Sequence, residues 1–362
     1  MGKLALNVLS SDMYRQAHEL EMTLSMFMES QDPSPEGAKL DAFERLMKEA
    51  GIMKSVPGTN FFSSKVEAFY RTEENRILFP EYVARTLVRA MTEFPIMQYL
   101  IAARTPIDSN VYKASYLDLN DAANKKATEM RRVTEAADLP LAKLKIGESS
   151  INLYKYGRAI EASYEALRRM SLDLFNIHIQ KIGAHAADNK VAEILTVIKD
   201  GDGNSNAATK YTATSLDSAY TTALTRTAWI KFLLKFYPYG CDTVIADEDG
   251  LIQVLEVLYP KGEVAARMDE LLAGGLQVST NLPQNLIANV TLLYSPHVEL
   301  VSTKHVLYGL NRGTTIEEIF ELGSTISEAD KFIRNQTQIM TVSENSGFRK
   351  IFSDTSALLS LE

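Results

Sequence analysis

The chain has 362 residues, 46% of them hydrophobic, so it can bury a sizeable core and has room for two or three domains. Its net charge of −8 argues against a dedicated nucleic-acid binder, whose surface carries a basic patch. The single cysteine, Cys241, excludes an intrachain disulfide framework and fits a reducing compartment, and no apolar run reaches the ~18 residues of a membrane span.

Residues 1–54 show two helical patterns, separated by the Pro- and Gly-containing breaker at 33–37. The second pattern begins at Leu40. The first pattern has apolar residues at helical spacing, namely Met13, Ala17, Leu20, Leu24 and Phe27. The segment is also rich in methionine, which packs adaptably. Two interpretations stay open: packing against the chain's own core or a neighbour, or a partner-binding arm.

The next stretch, 54–75, has no clear period and is predicted to be an extended arm or loop. A helix is predicted to begin at Phe79-Pro80-Glu81 and to end at Pro95, because proline suits the first turn of a helix and stops its continuation. A short apolar segment follows at 96–103.

Two segments with alternating polarity, 110–119 and 141–162, enclose a polar stretch at 120–140. This pattern predicts a long two-stranded arm with a polar tip. Because an isolated two-stranded ribbon is only marginally stable in water, the arm needs another chain to lie on.

The stretch 163–199 predicts one long helix, or two shorter helices in line, with a total length of roughly 50 Å at 1.5 Å per residue. Ser163 is placed to cap its start, Asp200-Gly201 ends it, and Gly183 is a candidate bend. Its predicted apolar stripe consists of Leu167, Met170, Leu174, Ile177, Ile182, Ala186, Val191, Ile194 and Ile198.

Residues 212–325 are predicted to form an α/β domain. A helix capped by Ser215 runs to Phe236, and a buried strand at 242–246 leads directly into a helix at 248–258. Further strands of this domain are predicted at 276–279, 290–294 and 298–301, while 315–322 fits a helix or a strand. Beyond the domain, strands are predicted at 338–342 and 347–353.

Chemical motifs are missing from the sequence. The five histidines form no recognised metal motif, and the loop after Asp200 has Ser205 and Tyr211 where a calcium loop requires Gly and Glu. No phosphate-cradling loop or nucleophile elbow is present. We therefore expect no metal, no cofactor and no enzymatic activity. A cytosolic α/β enzyme acting through 242–249 remains a lesser alternative.

Four stretches carry a resemblance to a known family. They are Phe79-Pro80-Glu81-Tyr82-Val83, the loop segment 134–140, the strand into the long helix at 154–167, and the closing stretch 335–342 with Gly347-Phe348 and Ala357. In this order, over residues 75–362, they resemble the tailed-phage major capsid protein of the Hong Kong 97 (HK97-like) fold.

The resemblance implies an α+β fold with an N-terminal helical arm, a long β-hairpin extended loop, a spine helix in a peripheral domain, and an α/β axial domain. On this numbering, the arm is 1–79, the extended loop 110–160 and the axial domain 211–325. The peripheral domain comprises 80–109, 161–210 with the spine helix, and the closing strands 326–362.

The resemblance further implies a major capsid protein that self-assembles into hexamers and pentamers, forming an icosahedral head around double-stranded DNA without reading its sequence. The implied partners are other copies of the chain and, in addition, scaffold, portal and decoration proteins, with no membrane. The location would be the virion capsid, assembled in the host cytoplasm. An encapsulin-type compartment shell around a protein cargo is the alternative within the same fold.

Contacts between subunits are expected from the loop tip and from the N-terminal arm. The candidate contact residues are Asn120, Lys125, Lys126, Arg131, Arg132, Glu135, Met22, Phe27, Phe61 and Phe62. Some members of the family join a loop lysine to an asparagine covalently. In this sequence the candidate asparagines for such a bond are Asn335 and Asn345. No motif fixes that geometry, so we expect solvated lysines and a single monomer band in denaturing electrophoresis.

Overall fold

The structure is a computed structural model. It describes residues 6, 9–10, 12–20, 22–35, 37–55, 62–109, 111–113, 115–117, 132, 144–146, 150–204, 206–237, 239–258, 290–298, 304–321, 326–332 and 336–361. The predicted strand at 276–279 and most of the predicted loop tip lie outside these residues.

The helices in the described residues include two long ones, which pack against each other. In chain order they are α1 Asp12–Glu19, α2 Leu24–Gln31, α3 Ala42–Glu49, a 3₁₀ helix Val66–Tyr70, α4 Glu73–Thr92, α5 Met97–Leu100, α6 Tyr164–Arg169, α7 Leu172–Asp200, α8 Ala213–Leu216, α9 Arg226–Leu234, α10 Glu248–Leu258 and a second 3₁₀ helix Ser353–Thr355. None of these helices is long and apolar enough to cross a lipid bilayer.

The strands in the described part of the chain form two five-stranded sheets and two short ribbons. They are β1 Ile101–Ile107, β2 Val111–Tyr112, β3 Ser115–Leu117, β4 Leu144–Ile146, β5 Ile151–Asn152, β6 Tyr154–Ser163, β7 Thr209–Thr212, β8 Thr243–Ala246, β9 Thr291–Tyr294, β10 Val306–Leu310, β11 Ile316–Glu321, β12 Ile326–Phe332, β13 Thr337–Lys350 and β14 Ser356–Ser360. The first sheet has the order β1-β11-β13-β12, with β6 on the other side of β13, and the second has the order β7-β14-β10-β8-β9.

The first core lies between α1–α4, the N-terminal part of α7 and the first sheet. Its centre is aromatic: the ring centroid of Phe79 lies 5.0 Å from that of Phe69 and 5.6 Å from that of Phe175. The N-terminal helices contribute buried side chains to this core, including Met13, Phe27 and Phe43. In the described residues, this segment is therefore a packed helical layer.

The C-terminal part of α7 packs into a different cluster, together with both sheets. Val191 and Ile194 contact a group that includes Tyr308 of the second sheet and Phe348 of the first sheet. A further core, around Trp229 and Phe232, lies beside the second sheet. Because α7 contributes to the first core at one end and to this cluster at the other, it connects the two halves of the molecule.

The predicted long helix is two helices, and the break lies before Gly183. Met170 is extended (ψ 132°), and the Ser171 side chain caps α7 by accepting a hydrogen bond from Leu174 N at 3.3 Å. The break has a tertiary cause: Val66 N donates to Met170 O, and Leu172 N donates to Ser64 O, so a short bridge forms there.

The break also corrects the predicted apolar stripe. The restarted helix buries Leu172, Phe175 and Ile179, and leaves Leu174 and Ile177 exposed. Gly183 is buried within a continuous helix, where it permits close approach of α4: a Cβ at Gly183 would lie 2.6 Å from the Cβ of Ala90.

Two helix starts also differ from the prediction. α4 begins at Glu73 with Thr72 as its cap, so Pro80 lies inside the helix. The region predicted as one helix from Ser215 is divided into α8, capped by Thr212, and α9, capped by Thr225. Local capping hydrogen bonds, which compete with a continuous helix, account for this division.

Several predicted elements are confirmed. The buried strand β8 and the helix α10 that follows it occur as expected, and 316–321 is a strand. The two predicted closing strands are one continuous strand, β13. The last strand, β14, pairs with β7 and β10 and thus belongs to the second sheet, while the peripheral grouping of 326–362 remains a prediction.

Candidate assembly surfaces

The structure describes four of the ten predicted contact residues. Phe62 is 91% exposed, Met22 is 38% exposed, and Arg132 is also exposed. Phe27 is only 6% exposed and packs in the first core, so its side chain is occupied within its own chain. The other six, Asn120, Lys125, Lys126, Arg131, Glu135 and Phe61, lie outside the described residues.

The N-terminal layer is attached to α4 by polar contacts as well as by apolar packing. Tyr14 Oη donates to Ile77 O at 2.8 Å and accepts from Glu81 N at 3.2 Å. The Glu81 carboxylate accepts from Ser25 N at 3.1 Å. Burial, reinforced by the Glu81 charge, raises the pKa of the Tyr14 hydroxyl far above its ordinary value. The layer thus holds a fixed position on α4.

A hairpin leaves the first sheet, as the sequence predicted. Its described rungs are the antiparallel pairs β2 with β5 and β3 with β4. Strand β6, which follows β5, pairs with β13 along its whole length, from Tyr154 opposite Ser346 to Ser163 opposite Thr337. The hairpin is therefore anchored in the first sheet through β6, and Ser163 then caps α6.

The sequence did not indicate a buried ion network on α7. Lys190, 3% exposed, donates to Glu318 on β11 at 3.2 Å and to Glu344 on β13. Arg104 Nε lies 2.8 Å from the second oxygen of Glu318. No sequence pattern pairs Lys190 with carboxylates more than 100 residues away. The network fixes α7 on the first sheet.

Two recesses open onto this network. One of about 290 Å³ is lined by Val88, Met97 and Arg104, and another of about 110 Å³ by Tyr156 and Arg158; both also contact Lys190 and Glu344. The second recess lies beside β6, the strand that anchors the hairpin.

One group in the described residues has the donors for a metal ion: Asp247, Asp249 and His305, whose ligand atoms lie within 4.8 Å of one another. His305 Nδ1 contacts Asp247, and its Nε2 lies 3.4 Å from Asp249. Asp247 also caps α10 by accepting from Gly250 N at 3.2 Å. These contacts already account for the three side chains, and the sequence prediction of no metal site stays a prediction.

The remaining histidines serve ordinary roles or lie at the surface. His297 Nε2 lies 2.9 Å from Asp188 on α7, while His178 and His185 are exposed on that helix. Cys241 is buried, and burial raises the pKa of its thiol, so the reactive thiolate form is suppressed. Asn345, one imagined cross-link partner, donates to Glu321, and the other, Asn335, lies outside the described residues.

Comparison with known protein families gives a match to part of the chain. Residues 147–297 match the family model described as "Phage capsid protein". This stretch contains β6, α6, α7 and the first part of the second sheet. The described residues form an α+β fold, as the sequence predicted, and the family match covers less than half of the chain.

No curated protein matches the chain. Among solved structures, a phage-related protein from Bordetella bronchiseptica is similar at 10% identity and a TM-score of 0.49, covering 77% of this chain and 96% of that one. The satellite phage P4 procapsid has 11% identity and a TM-score of 0.49, with 80% and 97% covered. The encapsulin complex from Synechococcus elongatus has 12% identity and a TM-score of 0.45, with 75% and 88% covered. At this level of likeness we draw nothing about function from the three structures.

Proposed function

We propose that this chain is the subunit of a closed protein shell built from many copies of itself. The observation that carries the proposal is the match of residues 147–297 to the phage capsid family model. The matched stretch includes the helix that connects the two halves of the molecule and the strand that anchors the hairpin.

The geometry suits a shell subunit. The 29-residue helix α7 is about 44 Å long at 1.5 Å per residue, and it is packed into separate clusters at its two ends. A buried ion network attaches it to the first sheet. A stiff body of this kind can hold a projecting hairpin in a defined direction, which interlocking copies require.

We infer, more specifically, that the shell is the icosahedral head of a tailed phage, with hexamers and pentamers around double-stranded DNA. The net charge of −8 supports containment without tight binding, because strong attraction to phosphates requires clustered lysines and arginines. Scaffold, portal and decoration proteins are the expected further partners, and the virion capsid is the expected location.

The proposed role is structural and requires no catalytic centre. The cluster of Asp247, Asp249 and His305 and the buried Cys241 are engaged in local contacts that fit this role.

The test is to express the full chain, alone and together with the other proteins encoded beside its gene, and to examine it by negative-stain microscopy and light scattering. Closed particles containing nuclease-protected DNA when the packaging proteins are present support the phage head. Closed particles containing only a co-purifying protein would support the encapsulin-type alternative. A monomer or small oligomer under both conditions would contradict a shell of either kind.

A further inference from the structure

The first sheet has a long edge with which no described strand of this chain pairs. Strand β6 pairs with β13 on one side over ten residues, in an uninterrupted register. On its other side, no strand of the described residues pairs with it. Within the described part of the chain, its outward N–H and C=O groups are therefore available to another strand.

The sequence of β6 gives this edge only part of the usual protection. Natural sheet edges are usually shortened, bent by a bulge, interrupted by proline, lined with charged side chains, or covered. β6 has no proline and no bulge, and none of its ten residues is buried. Its charged side chains are Lys155, Arg158 and Glu161, all exposed, which permit a partner of complementary charge.

A recess lies next to the edge. The volume of about 110 Å³ is lined by Tyr156 and Arg158 of β6 and by the apolar side chains of Leu87, Met91 and Ile182. A strand added along β6 would place alternate side chains on this face of the sheet, because side chains in a strand alternate between faces. The recess can accept one apolar side chain from such a strand.

We propose that the open edge of β6 pairs with an extended segment of a second copy of this chain. The inference rests on the proposed function, since a closed shell repeatedly brings each copy against the same surface of another. Main-chain pairing supplies the affinity, and the recess supplies selectivity for the register. The two cations Lys155 and Arg158 fit a partner whose net charge is −8.

Hydrogen exchange of the wild-type chain tests the proposal directly. Successive N–H groups of a strand point to opposite sides, so alternate amides from 155 to 163 face β13 and the others face the open edge. In unassembled chain we expect slow exchange only for the amides facing β13. In assembled particles the other set should slow by at least 10-fold.

Three results would overturn the proposal. If the edge amides exchange as fast in assembled particles as in the unassembled chain, the proposed shell function is supported but the proposed edge contact is wrong. Edge amides already protected in unassembled chain would mean that the chain covers its own edge. If no particles form under any condition, the proposed function fails and this inference fails with it.

Two adjacent proline variants add a structural control. The N–H groups of residues 158 and 159 point to opposite sides of β6. One of the variants Arg158→Pro and Ala159→Pro therefore removes a hydrogen bond to β13, and the other, the open-edge variant, removes only an N–H donor at the open edge. The open-edge variant should unfold at nearly the wild-type temperature yet require at least 10-fold higher concentration to assemble. Arg158→Ala, which keeps the N–H group, should assemble within a few-fold of wild type. Wild-type assembly by the open-edge variant would contradict the proposal.

Discussion

Lys190 on α7 and Glu318 on β11 form an ion pair of 3.2 Å with both side chains almost completely buried, at 3% and 2% exposure. Breaking such a pair leaves a charge without compensation in the interior, which costs about 3–5 kcal/mol. In Lys190→Ala, Glu318 keeps its ion pair with Arg104, so its charge stays partly compensated. We therefore expect this substitution to lower the free energy of unfolding by about 2–4 kcal/mol, measured by urea denaturation of the full chain.

The matched control is the exposed ion pair between Arg89, on α4, and Glu93, the C-cap residue of α4. Exposed pairs of this kind contribute about 0.3–0.5 kcal/mol, so Arg89→Ala should be nearly neutral. Equal effects of the two substitutions would show that the buried network does not hold α7 to the sheet.

Gly183 permits α4 and α7 to approach closely. In the Gly183→Ala variant the new Cβ would lie 2.6 Å from the Cβ of Ala90 and 3.1 Å from Leu87 O. Alanine favours an isolated helix by about 1 kcal/mol over glycine, but overpacking costs about 1–3 kcal/mol, so we expect net destabilisation. Thermal unfolding of the full chain measures the effect.

A second substitution distinguishes this clash from other causes. Removing the opposing Cβ with Ala90→Gly should recover part of the stability lost in Gly183→Ala, although Ala90→Gly alone is destabilising. If the two changes are simply additive, the contact between the helices is not the reason for the glycine.

Lys350 should make stability depend on pH. It is 2% exposed, its Nζ has no hydrogen-bond partner among the described residues, and burial lowers its pKa from 10.5 to about 8 despite Asp202 and Asp354 nearby. Between pH 8 and 10.5 the unfolded chain binds more protons than the folded chain, so this residue's contribution to stability rises with pH across that window. Below pH 8 the destabilisation is fully present.

We therefore expect Lys350→Met to raise the free energy of unfolding by about 1–3 kcal/mol at pH 7, with the gain shrinking towards zero near pH 10.5. The comparison is the difference between variant and wild type at each pH. Cys241, whose raised pKa lowers stability on the alkaline side, is present in both chains and cancels from that difference. A gain that does not vary with pH would contradict the assignment to Lys350.

The N-terminal layer should unfold together with the first core. Tyr14→Phe removes the hydroxyl that joins Ile77 O and Glu81 N, and leaves these groups without that partner. We expect a loss of about 1–3 kcal/mol in a single cooperative transition. Tyr237→Phe, at a side chain that is 88% exposed, is the control and should be neutral. Separate early unfolding of residues 12–49, detected by hydrogen exchange, would contradict unfolding of the layer together with the first core. An unchanged stability of Tyr14→Phe would contradict the fixed position of the layer.

Local signals in the sequence were sufficient for several elements. The apolar strand β8, the acidic start of α10 and the alternation in β6 each depend on residues close together in the chain, and all three were predicted. The order of these elements also supported the resemblance to HK97-like capsid proteins, which the match at 147–297 agrees with.

Contacts between distant residues decided the rest. The break at Met170 and Ser171 depends on hydrogen bonds from 64–66, and the pairing of β14 in the second sheet joins residues more than 140 positions from β7. The predicted contact residue Phe27 is buried for the same kind of reason, since α2 packs on α3 and α4. A helical period shows which residues are apolar, but it does not show which apolar face will meet a partner in the same chain.

The sequence by itself determined that the chain mixes helices and strands, because the order of hairpin, helix and α/β segment follows from local periodicity and from turn residues. Only the tertiary structure decided that Lys190 is a buried ion partner and that no described strand pairs with the outer edge of β6. Burial and strand pairing depend on which distant segments come together, and no local pattern encodes that choice.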